Sequence, residues 1–224
     1  MPPRTALRGA LALVLLALPV LAARVLAAEA AATVLDRYLQ GLATLQTQFR
    51  QTVSDAHGAI VEAGSGALIV QRPGRFRWDY QPKGSADPKT SGQLLIADGR
   101  NLWFFDRELA QATVKPVASV LSPTPVMLLS GSVAELHAQF EVTAGKPRDG
   151  LDWVEIQPRS AEADFSHAEL GFAGGQLARM LINDRLGQSV RLDFEHSQRN
   201  APIDATSFSF VPPAGVDVIG TPQT

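Results

Sequence analysis

The chain contains no cysteine. That excludes disulfides and also excludes a lipid-modified cysteine at a mature N-terminus. The fold must hold by its core alone. The chain also lacks any apolar run long enough to span a bilayer, any long-period repeat and any low-complexity tract. It has no Gly-x-Ser-x-Gly elbow and no phosphate-binding loop. The four histidines, His57, His137, His167 and His196, stand singly, so no pair has metal-ligand spacing. Asp152, Asp164 and Glu169 are scattered, and Asp98 sits before Gly99 as a turn former. Ser130 and Ser132 read as loop and cap residues. These residues give no reason to expect an enzyme, a cofactor or a metal site.

The N-terminus reads as an address. Arg4 and Arg8 precede an apolar run from Gly9 to Ala23, broken by Pro19 and closed by Arg24. Fifteen such residues suit a secretory leader better than a membrane anchor, the alternative. Small residues at Ala22, Ala23, Ala27 and Ala28 place cleavage between 22 and 28, with Val25-Leu26-Ala27 the preferred site. The expected organisation is a leader over 1–27 and one domain over 28–224, in the periplasm of a double-membraned bacterium. Without the leader the chain carries 17 basic and 22 acidic residues, a net charge of −5. That balance argues against nucleic acid and against adhesion to anionic lipid.

The rest is mainly strands with a few short helices. Thr33 caps a helix whose apolar stripe runs through Leu35, Leu39 and Leu42, with Tyr38 and Leu45 nearby and Gly41 near its end. Alternation follows, with Phe49, Gln51 and Val53 on one side. Ile60 to Val70 is a strand in which Gly64 and Gly66 mark bending or close backbone approach. Gly84, Pro88 and Gly92 mark a loop. Leu94 to Ala97 and Leu102 to Phe105 flank Asp98-Gly99 as a hairpin. Both halves of this hairpin are apolar at consecutive positions, so both faces there are covered, one by the core and the other open to a cavity reading.

Gln111 to Val117 is extended. Thr124-Pro125 then opens one short helix, and Ser132 with Glu135 forms a capping box for another. These helices either plug a barrel mouth or make a plain crossover. Strands resume over 151–157, 165–172, 176–183, 189–196 and 207–211, with Gly174-Gly175 as a turn. The order points to an antiparallel meander.

The stretch Val70 to Tyr80 is the most informative. Phe76, Trp78 and Tyr80 share one side of a strand, while Arg75, Arg77 and Asp79 share the other. Leu68, Val70 and Arg72 share one side of the preceding run. Arg72 is therefore an arginine on an otherwise apolar face. It either snorkels to water at the strand end or acts as a polar latch inside a greasy concavity. The basic density from Arg72 to Arg77 reads as a solvated strand face or as a patch for an acidic partner.

Several pieces together resemble the LolA family of periplasmic outer-membrane lipoprotein carriers. They are Arg72-Pro73-Gly74-Arg75-Phe76-Arg77-Trp78, then Ile96 through Asp106, then Gln111-Ala112-Thr113, then Thr124 through Leu129, and finally Phe208 through Ile219. The order and spacing hold over roughly residues 33–220. The loop from Gln81 to Gly92 is longer than the family's pattern, which bears on contacts near it.

The resemblance implies an incomplete antiparallel β-barrel, a half-barrel, with a helical lid over a hydrophobic cavity. It implies a monomeric chaperone and no catalysis. Acyl chains of lipoproteins would come from the inner-membrane ABC transporter LolCDE and pass to the outer-membrane receptor LolB. It assigns Arg72 as the lid latch, donating to carbonyls near Leu129 to Ser132. Phe76 falls at the cavity mouth, where the family engages the transporter. Leu68, Val70 and Trp78 would line the cavity, Leu35, Leu39 and Leu42 would roof it, and Met127 with Leu128 would close it from the lid. The reading of another class is a lipid-sensing half-barrel of envelope-stress signalling. Such proteins usually carry a second domain, for which no segment is expected after residue 220.

Overall fold

The computed structural model describes residues 33–85, 87–117, 127–161 and 163–223, with the side chain of Met127 left out. The expected leader with its cleavage site and the Thr124-Pro125 cap lie outside the described residues.

Helix α1, Val34–Leu39, begins at Thr33. The Thr33 hydroxyl accepts from the Asp36 N–H, and Asp36 accepts from the Thr33 N–H in return. The sequence stripe overran this helix. Gln40 is already extended and Gly41 turns at φ +75°, a conformation glycine adopts without a Cβ clash. Leu42 therefore lies in the turn after α1, and Leu45 opens the first strand.

Strands β1 (Thr44–Ser54), β2 (Ile60–Gln71), β3 (Arg75–Pro82), β4 (Gln93–Asp98), β5 (Asn101–Asp106) and β6 (Gln111–Pro116) follow. Helices α2 (Met127–Ser130) and α3 (Val133–Gln139) come next. Strands β7 (Phe140–Ala144), β8 (Asp152–Pro158), β9 (His167–Ala173), β10 (Gln176–Asn183), β11 (Ser189–Arg199) and β12 (Asp217–Ile219) complete the order. All twelve join one sheet in the order β12-β6-β5-β4-β3-β2-β1-β11-β10-β9-β8-β7. Every pairing is antiparallel except β12 on β6.

The meander is thus interrupted once, where β1 pairs with β11 and the two halves meet. The ends, β12 and β7, are unpaired with each other, so the barrel stays open. It is nonetheless strongly curved. Ala97 on β4 and Phe140 on β7, near opposite ends of the strand order, belong to one buried cluster. That cluster fills the concave face. Phe49, Leu68, Val70, Phe76, Leu170 and Phe172 come from the sheet, and Leu35, Leu39, Leu128, Leu129 and Leu136 from the three helices. The two short helices in the middle of the chain therefore cover the concave side instead of serving as a plain crossover.

The expected strand over 207–211 is absent. Residues Ala205–Phe208 form a 3-10 turn, capped by the Asp204 carboxylate on the Thr206 N–H. The chain then crosses the convex face of β4 to β6. Phe210 and Val216 pack there on Leu94, Ile96, Trp103, Phe105, Ala112 and Val114 as a second core. Asn101 holds the tail, accepting from the Gln223 N–H at 2.7 Å and donating to its carbonyl at 3.0 Å. Strand β7 was also missed by pattern, because most of its residues are exposed.

Gly66 shows what close approach requires. The Phe49 ring passes over it to stack on Trp78, with centroids 3.8 Å apart and planes at 23°. A Cβ on Gly66 would strike the Asp79 carbonyl as well as that ring. Backbone cannot yield as a flexible side chain does. Gly66→Ala is expected to destabilise the fold by about 1–3 kcal/mol, read as a lower urea midpoint, with a loss of near-UV ellipticity from Trp78.

Candidate functional site

Arg72 follows the last residue of β2, where strand direction turns the side chain from the apolar face toward the helix ends. Its Nε donates to the Gly131 carbonyl at 3.0 Å, and Nη2 donates to the same oxygen. Nη1 donates to the carbonyls of Leu39 and Leu42, the latter at 3.3 Å. One planar cation thus spans the C-terminal end of α1 and the junction of α2 with α3. Such ends carry carbonyls without helical partners and a partial negative charge. Five donors in a rigid fork match several carbonyls at once. Burial pushes the Arg72 pKa down from its ordinary value, and the Glu135 carboxylate opposes that. The adjoining turn adds a backbone bond, Gly74 N–H to the Ser130 carbonyl at 3.0 Å.

Beside this bridge lies a cavity of about 490 Å³. Phe76, Ala97, Leu102 and Val117 line its sheet side, and Leu128, Leu136 and Phe140 its helix side. The rim is polar, with Ser130, Ser132, Glu135 and Gln139. It occupies the gap that the unclosed sheet leaves.

The sequence-picked residues divide. Arg72, Phe76 and Leu128 come together at this bridge and cavity. Phe76 is only 1% exposed, so it belongs to the core as well as to the cavity wall. Leu35, Leu39, Leu42, Leu68 and Val70 are packed in the main core beneath the helices and do not line this cavity. Trp78 is half-buried against the same core. Met127 opens α2, and its side chain lies outside the described residues. Among the described residues no three histidine or acidic side chains cluster as metal ligands.

Other residues escaped the sequence reading. Arg199 donates from Nη2 to the Tyr38 carbonyl at 2.7 Å and lies 4.5 Å from the Tyr38 ring centroid. Burial raises the Tyr38 pKa to about 12, and Arg199 acts against the rise. Asn200 donates to the Gly41 carbonyl and accepts from the Ala43 and Thr44 N–H groups. Together these groups fasten α1 to the ends of β1 and β11. No sequence signal marked them, because their backbone partners Tyr38 and Gly41 lie 161 and 159 residues away.

A family model described as outer membrane lipoprotein carrier protein LolA matches residues 40–211. The chain belongs to the LolA family. It is 39% identical over 203 residues to an outer-membrane lipoprotein carrier protein of Methylibium petroleiphilum, covering 89% of this chain and 96% of that one. It is 35% identical over 186 residues to one of Methylobacillus flagellatus, covering 83% and 87%. Among solved structures, an uncharacterized conserved protein from Thermus thermophilus superposes with a TM-score of 0.51 at 14% identity, covering 86% of this chain and 98% of that one. That last likeness concerns the fold alone. The LolA family consists of carrier proteins, which accords with a site built of apolar wall and polar rim.

Helix α3 depends on its cap. Ser132 accepts from the Glu135 N–H at 3.1 Å, and Glu135 accepts from the Ser132 N–H at 2.8 Å. Ser132→Ala is expected to cost about 1 kcal/mol locally. Amide exchange should quicken at Ala134 to Leu136 and stay unchanged in β1 and β11.

Proposed function

We propose that this protein is a periplasmic carrier of acylated lipoproteins. It accepts them from an inner-membrane transporter of the LolCDE kind, shields their acyl chains, and delivers them to an outer-membrane receptor of the LolB kind. The names of the relatives support the cargo. The Arg72 bridge across the helix ends carries the mechanism. Each acyl methylene costs about 0.8 kcal/mol to expose to water, so the chains need cover in transit. A concave sheet under short helices offers such cover once the helices lift. Leu35, Leu39, Leu42, Leu68, Val70 and Trp78, packed together in the closed form, then become ligand-facing. Met127 and Leu128 move with the lid. Phe76 sits where the acyl chains enter.

Release is the harder requirement. A cavity binding by apolar contact alone would hold its cargo too well. Lifting the lid breaks the Arg72 bonds to Gly131, and closing regains them. The latch therefore favours the empty state and makes transfer to the receptor downhill.

The direct test is mass spectrometry of the protein purified natively from periplasm. Triacylated lipoproteins should co-purify with it. Free phospholipid in their place, or turnover of an ester probe, would contradict the carrier reading.

Arg72→Leu tests the latch. A hydrogen bond from a charged donor contributes about 1.5–3 kcal/mol, so losing it should move the open-to-closed ratio by one to two decades. Loading should persist and transfer should fail, with Arg72→Lys between because it keeps the charge without the fork. Wild-type transfer by Arg72→Leu in a reconstituted assay would remove Arg72 from the mechanism.

Phe76→Glu gives an independent check on the cavity. A carboxylate there faces apolar wall without a partner. Loading of cargo should fall at least tenfold while circular dichroism shows the sheet intact. Normal loading by a folded variant would exclude this cavity as the entry.

A further inference from the structure

Arg72 is not the one bond between the helices. The ring of His137 on α3 meets the Asp36 carboxylate on α1, Nε2 to Oδ1, at 2.7 Å. Asp36 is fully engaged, since its other oxygen accepts from the Thr33 N–H and hydroxyl at 2.8 Å each. The Asp36 side chain is 13% exposed, whereas that of His137 is 42% exposed. The acceptor is therefore fixed and sheltered, and the donor can reach water.

The two helices are held differently. Helix α1 is tied to the strand ends through Arg199, Asn200 and Arg72. Helices α2 and α3 are joined to the sheet side by Arg72 and by the Gly74 N–H, and by Arg159, whose N–H donates to the Gln139 carbonyl at 2.9 Å and whose Nε donates to the His137 carbonyl at 3.3 Å. Lifting α2 and α3 away from α1 must separate His137 from Asp36.

From this geometry we infer that the His137–Asp36 pair is a pH-sensitive bolt of the lid, holding it shut more firmly when the imidazole is protonated. The inference rests on the reading of α2 and α3 as the moving cover, and it adds regulation to that site. The acceptor is already a carboxylate, so protonation of the imidazole converts a hydrogen bond to an anion into an ion pair with a hydrogen bond, which is stronger. Imidazole changes charge between about pH 5 and 8.

The groups around the pair set its limits. Burial alone would raise the Asp36 pKa, but the bonds from His137 and Thr33 outweigh it and leave the carboxyl below its ordinary value. Asp36 thus remains an anion in the closed state until the medium is strongly acid, and its contribution is lost only as pH falls through that lowered value. Arg159, from the end of β8, faces the His137 backbone and opposes added positive charge. Glu135 and Glu141 lie on the same stretch of chain as His137. The Glu135 carboxyl is itself held low by its Ser132 bonds. The bolt is therefore an ion pair when the imidazole is protonated and a weaker hydrogen bond when it is neutral, and it is lost when Asp36 itself is protonated in strong acid.

The lack of native cysteine makes the test simple. Gln40→Cys and Ala138→Cys place one label on the exposed side of each helix region in the mature, empty protein. Pulsed electron paramagnetic resonance between two spin labels reads closed and open populations. The closed-to-open ratio should rise about fivefold from pH 8 to pH 5.5, as the neutral imidazole donor becomes a cation beside the carboxylate. His137→Gln keeps a neutral donor and should abolish that rise, as should Asp36→Asn, which can still cap Thr33. Circular dichroism should show both variants folded, because one partner is exposed and the other stays isosteric. A rise of the same size in His137→Gln, or none in the parent, overturns the bolt. The measurement uses no cargo, so failure to find lipoprotein in the periplasmic preparation would leave the bolt standing and fall on the carrier reading alone.

Discussion

Carbonyls at the ends of very short helices need donors, and Arg72 at the end of β2 supplies them. Helix α1 has six residues, α2 four and α3 seven. None is long enough to be stable by itself in water. Each also leaves its last carbonyls without intrahelical partners. Arg72 answers both problems, since one guanidinium satisfies carbonyls from α1 and from the α2–α3 junction. Arg199 and Asn200 complete the set at α1 alone. Helices α2 and α3 are tied by Arg72, by Gly74, by Arg159 and, through His137, to Asp36 on α1.

The sheet is covered differently on its two faces, and the difference suits a carrier. On the convex side the C-terminal segment packs Phe210 and Val216 onto β4 to β6, pairs β12 with β6, and ties its end to Asn101. Strand pairing, apolar packing and a two-way side-chain bond all act together there. On the concave side the cover is two short helices with apolar undersides. In the proposed mechanism the convex cover keeps the strands in register while the concave cover is exchanged for another apolar surface.

Sequence pattern revealed the strands near the site and the Ser132 cap because those signals are local. Alternation in Arg75 to Tyr80 decides a strand face without knowledge of its neighbours. So does the pairing of Ser132 with Glu135 three residues later. The failures concern long-range partners. The stripe through Leu42 had helical spacing, yet Gly41 turned the chain and put Leu42 in the core from a turn. The double-sided apolarity of β4 and β5 was visible, but the tail that covers one side lies about a hundred residues away, so the second face read equally as a cavity. Segment 207–211 looked like a strand because Phe208 and Phe210 alternate, although the two phenylalanines serve different cores. Arg72 was conspicuous as a charge on an apolar face. Its bonds to Leu39 and Leu42 were not legible, because no pattern in a chain says which helix ends will converge.

A polar latch also solves a problem that an apolar lid cannot. Acyl chains and lid leucines compete for the concave face through the same non-directional force, which grows with the apolar area buried. If that force alone held the lid, the balance between loaded and empty would change with every methylene in the cargo, by about 0.8 kcal/mol each. The Arg72 bonds to Gly131 add a term of fixed size that is the same for every cargo. In the proposed mechanism they are present in the closed form and broken in the open one. Their strength is also bounded, because the guanidinium is partly exposed to water. In the proposed mechanism the cation thus shifts the balance toward release without forbidding loading, and apolar contacts are left to do the shielding.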